Sequence, residues 1–222
     1  MTFDRFADRT DAGKRLAKAL MRYKGKENTV VIGLPRGGVI TAAALADEID
    51  LPLDVLVVRK LGTPGHEELA MGAIGPGGVR VLNEDVIRSL RITPMQIDAA
   101  AKREEAELQR RERLYRAGLK PLDFSGQTVI LVDDGLATGS TMEAAIRVVR
   151  HHAPARIILA VPVAPAETCE HFRSRVDELV CLQKPEPFQA VGLWYRDFAQ
   201  VDDAQVIQAL AERRNRMRIA AS

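Results

Sequence analysis

The feature that most constrains the fold is an alternation between short aliphatic runs and segments whose apolar residues recur at helical spacing. The aliphatic runs begin near residues 29, 53, 127, 155 and 177, and helical patterns separate them. A strand that is apolar on both faces must be buried on both faces, which is typical of parallel sheets. Such strands in alternation with helices predict an α/β domain whose parallel sheet is covered by helices on both sides.

The predicted elements fit one domain over residues 1–222. A first helix is predicted near 10–23, a second buried strand at 53–60 and a charged helix at 94–117. Acids and bases are interspersed on this last helix, which usually indicates a solvated face. Its apolar stripe is broken, so it could dock on its own domain or on a second subunit of a homodimer.

Charge and composition exclude several classes of protein. Lys and Arg number 32 against 30 Asp and Glu, so the basic excess that is typical of nucleic-acid binding is missing. Cys169 and Cys181 lack zinc-like spacing and are expected to be reduced thiols. The first 20 residues do not resemble a signal peptide, and no window approaches the ~20 apolar residues of a membrane span. We therefore expect a soluble, cytoplasmic protein that binds neither nucleic acid nor membrane.

The stretch VILVDDGLATGST, residues 129–141, carries the clearest chemical signal. A predicted strand ends in Asp133 and Asp134, and small or hydroxyl-bearing residues lead into a helix. Ligands of parallel α/β sheets bind outside the carboxyl ends of the strands. A helix N-terminus with small residues before it suits a phosphate, whereas the two acids suit hydroxyls or a metal ion. Alternatively, the acids could simply cap the following helix.

This stretch resembles the phosphoribosyl-pyrophosphate signature of the type I phosphoribosyltransferases. That signature consists of four aliphatic residues, two acids, three variable residues and then Thr-Gly-x-Thr. Other loops occur in the matching order, so the resemblance extends from about Val30 to Phe198. The whole chain is similar to the bacterial group known only as predicted phosphoribosyltransferases. The resemblance implies a parallel-sheet fold with a flexible loop (60–78), an inserted charged helix (94–117) and a C-terminal hood (185–200).

The same resemblance implies an enzyme that moves a 5-phosphoribosyl group from phosphoribosyl pyrophosphate to a nitrogen acceptor, a nucleobase, and releases pyrophosphate. It implies Mg²⁺ as the cofactor, chelated chiefly by the substrate. A regulatory module that binds phosphoribosyl pyrophosphate without catalysis is the alternative. Retention of Arg36, of Arg59 and Lys60 and of a long glycine-rich loop favours the enzyme.

The resemblance also assigns roles to residues. Asp133 and Asp134 would hold the ribose hydroxyls and reach the metal ion indirectly. The 5-phosphate would be cradled by Ala137, Thr138, Gly139, Ser140 and Thr141. The pyrophosphate would be bound by Pro35, Arg36, Gly37 and Gly38, with charge from Arg59 and Lys60. Otherwise, PRGG is an ordinary turn between a strand and a helix, and Arg59 and Lys60 are solvated surface cations.

The acceptor base and the general base are left open by the sequence. Ala137 stands where the hypoxanthine-guanine members carry a third acid, so the loop is closer to the adenine type. The segment FQAVGLWYRDF is instead similar to the hood of the hypoxanthine-guanine type. The resemblance places the acceptor pocket at Phe188, Val191 and Trp194, although large aromatics are more often part of the core.

Overall fold

The computed structural model describes residues 4–220, without the side chains of Glu68 and Ala220. Its strands, in chain order, are β1 (Thr29–Gly33), β2 (Leu53–Val55), β3 (Arg59–Thr63), β4 (His66–Ile74), β5 (Arg80–Leu82), β6 (Thr128–Val132), β7 (Arg156–Val163) and β8 (Glu178–Gln183). Five of them form a sheet in the order β2-β1-β6-β7-β8, and every neighbouring pair in it is parallel. The predicted parallel sheet is confirmed.

Helices cover both faces of this sheet. They are α1 (Arg9–Ala19), α2 (Gly37–Glu48), α3 (Glu84–Ser89), α4 (Pro94–Arg116), α5 (Ser140–His151), α6 (Ala166–Arg173) and α7 (Asp203–Ala220). Val31 and Ile130 belong to one buried cluster with residues of α1, α2, α4 and α7. Ile32 and Leu131, one position further along each strand, belong to a second cluster with α5 and α6. Within residues 4–220, no helix is long and apolar enough to cross a membrane.

The predicted strand over 53–60 is wrong as a single element. β2 ends at Val55, and β3 starts at Arg59 in a separate antiparallel sheet with the order β3-β4-β5. Residues 56–58 are buried yet belong to neither sheet, because they carry the chain from one sheet to the other. Aliphatic composition reports burial and cannot distinguish such a crossover from a strand.

The glycine-rich segment 60–78 also differs from the predicted loop, because most of it forms the β3–β4 hairpin. Its glycines allow close approach between backbones. A Cβ on Gly72 would lie 2.6 Å from the carbonyl oxygen of Val81, and one on Gly62 would lie 2.8 Å from that of Glu67. The movement of this hairpin over a bound substrate stays a prediction.

The charged helix α4 is observed where the sequence predicts it, and it docks on its own domain. Thr93 and Gln96 form a capping box at its start, with Pro94 in the first turn. Its apolar stripe, which includes Ile97, Leu108 and Tyr115, is buried in the core. A homodimer stays a prediction.

Candidate active site

The two loops that carry the predicted phosphate-binding residues leave the sheet at the same edge. β1 and β6 are neighbours, and Gly33 at the end of β1 pairs with Val132 at the end of β6. Each loop leads into a helix, α2 or α5, whose N-terminus has no side-chain cap. Most N–H groups of the two first turns are therefore available to anions, although that of Val39 donates to the carbonyl oxygen of Arg36 and that of Ser140 to Oγ1 of Thr138. The alternative that Asp133 or Asp134 caps α5 is wrong, because its N-cap residue is Gly139.

The acid pair and the PRGG loop are in direct contact. A Cβ on Gly37 would lie 1.9 Å from Oδ2 of Asp134, and one on Gly38 would lie 2.8 Å from Oδ1 of Asp133. These positions therefore accept only glycine without a shift of the carboxylates. The contact also places the predicted pyrophosphate loop beside the predicted ribose-binding acids. Arg36, the N-cap residue of α2, is half-buried.

An ion pair that the sequence analysis missed holds Asp134. Nε of Arg9 donates to Oδ2 of Asp134 at 2.7 Å, and the two side chains are only 11% and 15% exposed. Nη1 of Arg9 also donates to the carbonyl oxygen of Ala199 at 2.8 Å, and its guanidinium lies 3.9 Å from the ring centroid of Phe198. Arg9 precedes Asp134 by 125 positions, so no local pattern could have linked them.

The environment of the acids disfavours their charged forms. Burial, followed by the charge of Asp134, raises the pKa of Asp133 well above its ordinary value. Burial also raises the pKa of Asp134, although the hydrogen bond from Arg9 acts in the opposite direction. The hydroxyl of Tyr195 donates to the carbonyl oxygen of Asp134 at 2.5 Å and fixes the backbone there. Carboxylates in such a setting gain from hydroxyl donors or from a cation.

The predicted 5-phosphate residues line one cavity of about 230 Å³. Its lining consists of Asp133, Val191 and residues 135–142. The hydroxyls of Thr138 and Ser140 lie 3.0 Å apart within it. Thr168 of α6, which the sequence analysis also missed, donates to the carbonyl oxygen of Ala137 at 2.9 Å. This bond ties one carbonyl of the loop back to α6.

Gly139 has two structural reasons to be glycine. Its φ of 74° lies in the left-handed region. A Cβ there would lie 2.5 Å from the ring of Phe172, on α6. The loop is therefore pressed against α6.

A larger cavity, of about 590 Å³, brings Arg59 and Lys60 to the site. It is lined by Pro35, Thr141, Gly62, Glu67, residues 56–60 and four residues of α4, namely Ala100, Arg103, Glu104 and Arg111. The sequence predicts that Arg59 and Lys60 end a strand, but in the structure they begin β3. Nη2 of Arg59 lies 2.6 Å from Oε2 of Glu104, so this arginine is not a simply solvated cation. Arg36 lines neither cavity.

The three residues predicted for the acceptor pocket pack on one cluster, but only one of them lines the cavity of residues 135–142. Phe188, Val191 and Trp194 all pack against the small core cluster around Phe6 and Tyr195. Val191 is the one that lines this cavity. It packs closely on Gly135, because a Cβ on Gly135 would lie 2.5 Å from Cγ1 of Val191. For Phe188 and Trp194, the packing supports the alternative of a structural role.

The donor set fits a metal ion that is held mainly by its substrate. Within the described residues, no group of three or more His, Cys, Asp or Glu side chains is placed to hold a metal ion. Asp133 and Asp134 are adjacent carboxylates, and one of them already has Arg9 as a partner. Two such acids could contact Mg²⁺ through water or through the hydroxyls of a ligand, but they do not make a metal cage.

Comparisons with known proteins agree with this geometry. A family model described as the phosphoribosyl transferase domain matches residues 4–195. Two Mycobacterium tuberculosis proteins, provisionally named phosphoribosyl transferases, are 47% identical over 205 residues, which are 92% of this chain and 46% of each relative. The chain thus spans about half the length of these curated relatives. The crystal structure of TT1426 from Thermus thermophilus is 44% identical, with a TM-score of 0.86 over 94% of this chain and 98% of that one. The chain belongs to the phosphoribosyl transferase domain family.

Proposed function

We propose that the chain transfers a 5-phosphoribosyl group from phosphoribosyl pyrophosphate to a nitrogen acceptor, a nucleobase, with release of pyrophosphate. The observation that carries this proposal is the pair of uncapped helix N-termini at one sheet edge, with two carboxylates between them. The proposed donor has a phosphate at C5 and a pyrophosphate at C1 of one ribose. Its two anionic ends match the two helix N-termini, and its diol matches the acids.

The proposed mechanism is electrostatic. Positive charge develops at C1 as pyrophosphate leaves, and the barrier falls if fixed charges meet the leaving group. Arg36, Arg59 and Lys60 are the cations that the two loops supply. Asp133 and Asp134 orient the ribose through its 2- and 3-hydroxyls and stabilise the developing cation. When bound, Mg²⁺ would neutralise charge on the leaving pyrophosphate, with Asp133 and Asp134 reaching it only indirectly.

Asp134 must accommodate both the ribose and Arg9. Because Oδ2 of Asp134 accepts from Arg9, the ribose hydroxyls either use the remaining lone pairs of this carboxylate or displace the arginine. The arginine also contacts Phe198 and Ala199, so it stays beside the site in either case. Arg9 thus keeps a balancing positive charge near two acids that would otherwise repel each other.

The test of the donor site is a pair of calorimetric titrations, with ribose 5-phosphate and with phosphoribosyl pyrophosphate. Arg36→Ala should leave the affinity for ribose 5-phosphate nearly unchanged and weaken binding and turnover of the full donor by about 2–4 kcal/mol. Thr138→Ala should weaken both ligands, because Thr138 lines the cavity proposed for the phosphate common to them. Equal weakening of both ligands by Arg36→Ala would refute the assignment of the loops.

Transfer itself is tested by pyrophosphate release from phosphoribosyl pyrophosphate across a panel of nucleobases. Asp134→Asn, in a protein that still folds, should lose most of this activity. A chain that binds the donor tightly but releases no pyrophosphate with any base would instead support the regulatory module.

A further inference from the structure

The inserted helix α4 forms a fixed wall of the larger cavity. Its start is held by the capping box, and its apolar stripe is buried. At its end, Nε and Nη2 of Arg116 each donate to the carboxylate of Asp54 at 3.0 Å, and both side chains are largely buried. The backbone of a helix that is anchored at both ends does not have to be ordered when a ligand binds.

One face of α4 is polar and faces this cavity. Arg103, Glu104 and Arg111 line it together with Ala100, at the three-, four- and seven-residue spacings that share a helix face. Glu104 is already paired with Arg59, as described above. Arg103 makes no hydrogen bond or ion pair with any described residue, whereas Nε of Arg111 donates to Glu107 at 2.6 Å.

The charge of the cavity lining favours an anion. Arg59, Lys60, Arg103 and Arg111 line it, against two acids, Glu67 and Glu104. Half of these cations come from α4, a segment outside the two phosphate loops. Guanidinium groups present planar forks of donors that match phosphate oxygens.

The cavity is continuous with the proposed donor site. Pro35 of the pyrophosphate loop and Thr141 of the 5-phosphate loop both line it. A ligand in the proposed donor site could therefore extend into this cavity.

We propose that α4 is a binding element for the pyrophosphate end of the donor, and that Arg103 and Arg111 bind its phosphate oxygens. This proposal rests on the proposed function for the identity of the donor. Arg103 has no competing partner among the described residues, and Arg111 reaches the anion while Glu107 fixes its guanidinium. Hydrogen bonds from Arg110 and Arg111 lower the pKa of Glu107 to about 2.

The experiment measures binding of inorganic pyrophosphate with Mg²⁺ by calorimetry at one fixed salt concentration. The variants are Arg103→Ala, Arg111→Ala and, as a matched control, Arg110→Ala. Arg110 lies on the same helix and also pairs with Glu107, but it does not line the cavity. Circular dichroism and thermal melts check that each variant folds.

We expect Arg103→Ala and Arg111→Ala each to weaken pyrophosphate by about tenfold, which is the effect of losing about one charge-assisted hydrogen bond. Ribose 5-phosphate should bind all variants within about twofold of the wild type, because it lacks the pyrophosphate. Arg110→Ala should match the wild type for both ligands.

The outcomes separate this proposal from the proposed function. Failure of the wild type to bind pyrophosphate, or equal affinities across the three variants, overturns the role of α4, even if the protein transfers phosphoribosyl groups. Selective weakening by Arg103→Ala and Arg111→Ala supports that role, even if no nucleobase is found to act as acceptor.

Discussion

Replacement of Arg9 by methionine is expected to destabilise the fold by about 3–5 kcal/mol, because it leaves Asp134 as a buried carboxylate without its cation. The side chains of Arg9 and Asp134 are 11% and 15% exposed, so solvent cannot replace the lost partner. The substitution also removes the hydrogen bond to Ala199 and the contact with Phe198. For a domain of this length, such a loss lowers Tm by about 6–20 °C.

The assay is urea denaturation of a double-mutant cycle with Asp134→Asn. The double variant should recover much of the stability that Arg9→Met loses, because Asp134 is then no longer a buried, unpaired charge. Arg15→Met on the same helix is the matched control. Arg15 pairs with Asp11 at 2.9 Å, but these side chains are 34% and 29% exposed. Arg15→Met should therefore lower the free energy of unfolding by only about 0–1 kcal/mol, as is usual for a surface ion pair.

The cost of Arg9→Met should also depend on pH. The folded-state pKa of Asp134 is already raised by burial, and loss of Arg9 raises it further. A carboxyl whose pKa is raised on folding stabilises the protein below its unfolded pKa and loses that contribution as the pH rises through its folded pKa. The deficit of the variant should thus be largest near neutral pH and shrink as the pH falls towards 3.8, the ordinary pKa of the group.

Two results would refute this reasoning. One is strict additivity, with a coupling energy below about 0.5 kcal/mol between the two positions. The other is a cost of Arg9→Met no larger than that of Arg15→Met.

Three further predictions concern the proposed 5-phosphate loop and the metal ion. Thr168→Val removes the hydroxyl that donates to the carbonyl oxygen of Ala137. It should weaken the binding of ribose 5-phosphate about fivefold in a titration, which corresponds to about 1 kcal/mol for one hydrogen bond. An unchanged affinity would show that α6 does not position the loop. Gly139→Ala should lower the free energy of unfolding by more than Gly118→Ala, because Gly118 has a similar φ of 75° but open space where a Cβ would lie. The left-handed backbone alone costs about 1–3 kcal/mol at either position. Equal losses in urea denaturation would mean that the contact with Phe172 is relieved at no cost. Chelation of Mg²⁺ should weaken phosphoribosyl pyrophosphate strongly and ribose 5-phosphate little; equal affinity for the donor with and without the ion, measured by calorimetry, would contradict the metal's proposed role.

The parts of the site that the sequence predicts are those with local causes. The boundaries of α5 follow from a strand that ends in acids and from glycine before a helical pattern. The same local order places the residues predicted to bind the 5-phosphate and the pyrophosphate in loops at the carboxyl ends of strands. Local sequence also predicts α4, since its capping box and proline lie within four residues.

The parts that the sequence does not predict depend on distant contacts. Arg9 and Thr168 have ordinary local surroundings, and their partners lie 125 and 31 positions away. The sequence predicts a strand at 56–58 because these residues are aliphatic, but they are aliphatic because they are buried and not because they pair in a sheet. Arg103 and Arg111 read as solvated charges because only the fold shows that a cavity lies against that face of α4.

The contact between the N-terminal segment and the hood has a consequence for biosynthesis. The backbone of Phe6 donates to Trp194 at 2.9 Å, and Arg196 donates back to Phe6 at 2.8 Å, next to the Arg9–Phe198 contact. Along the chain, Arg9 is made 125 residues before Asp134, and Phe198 is made later still. While a nascent chain lacks residues 194–199, Arg9 lacks its contacts with Phe198 and Ala199. Truncated chains that end before the hood should therefore hold Arg9 against Asp134 less firmly, even where the central sheet has formed.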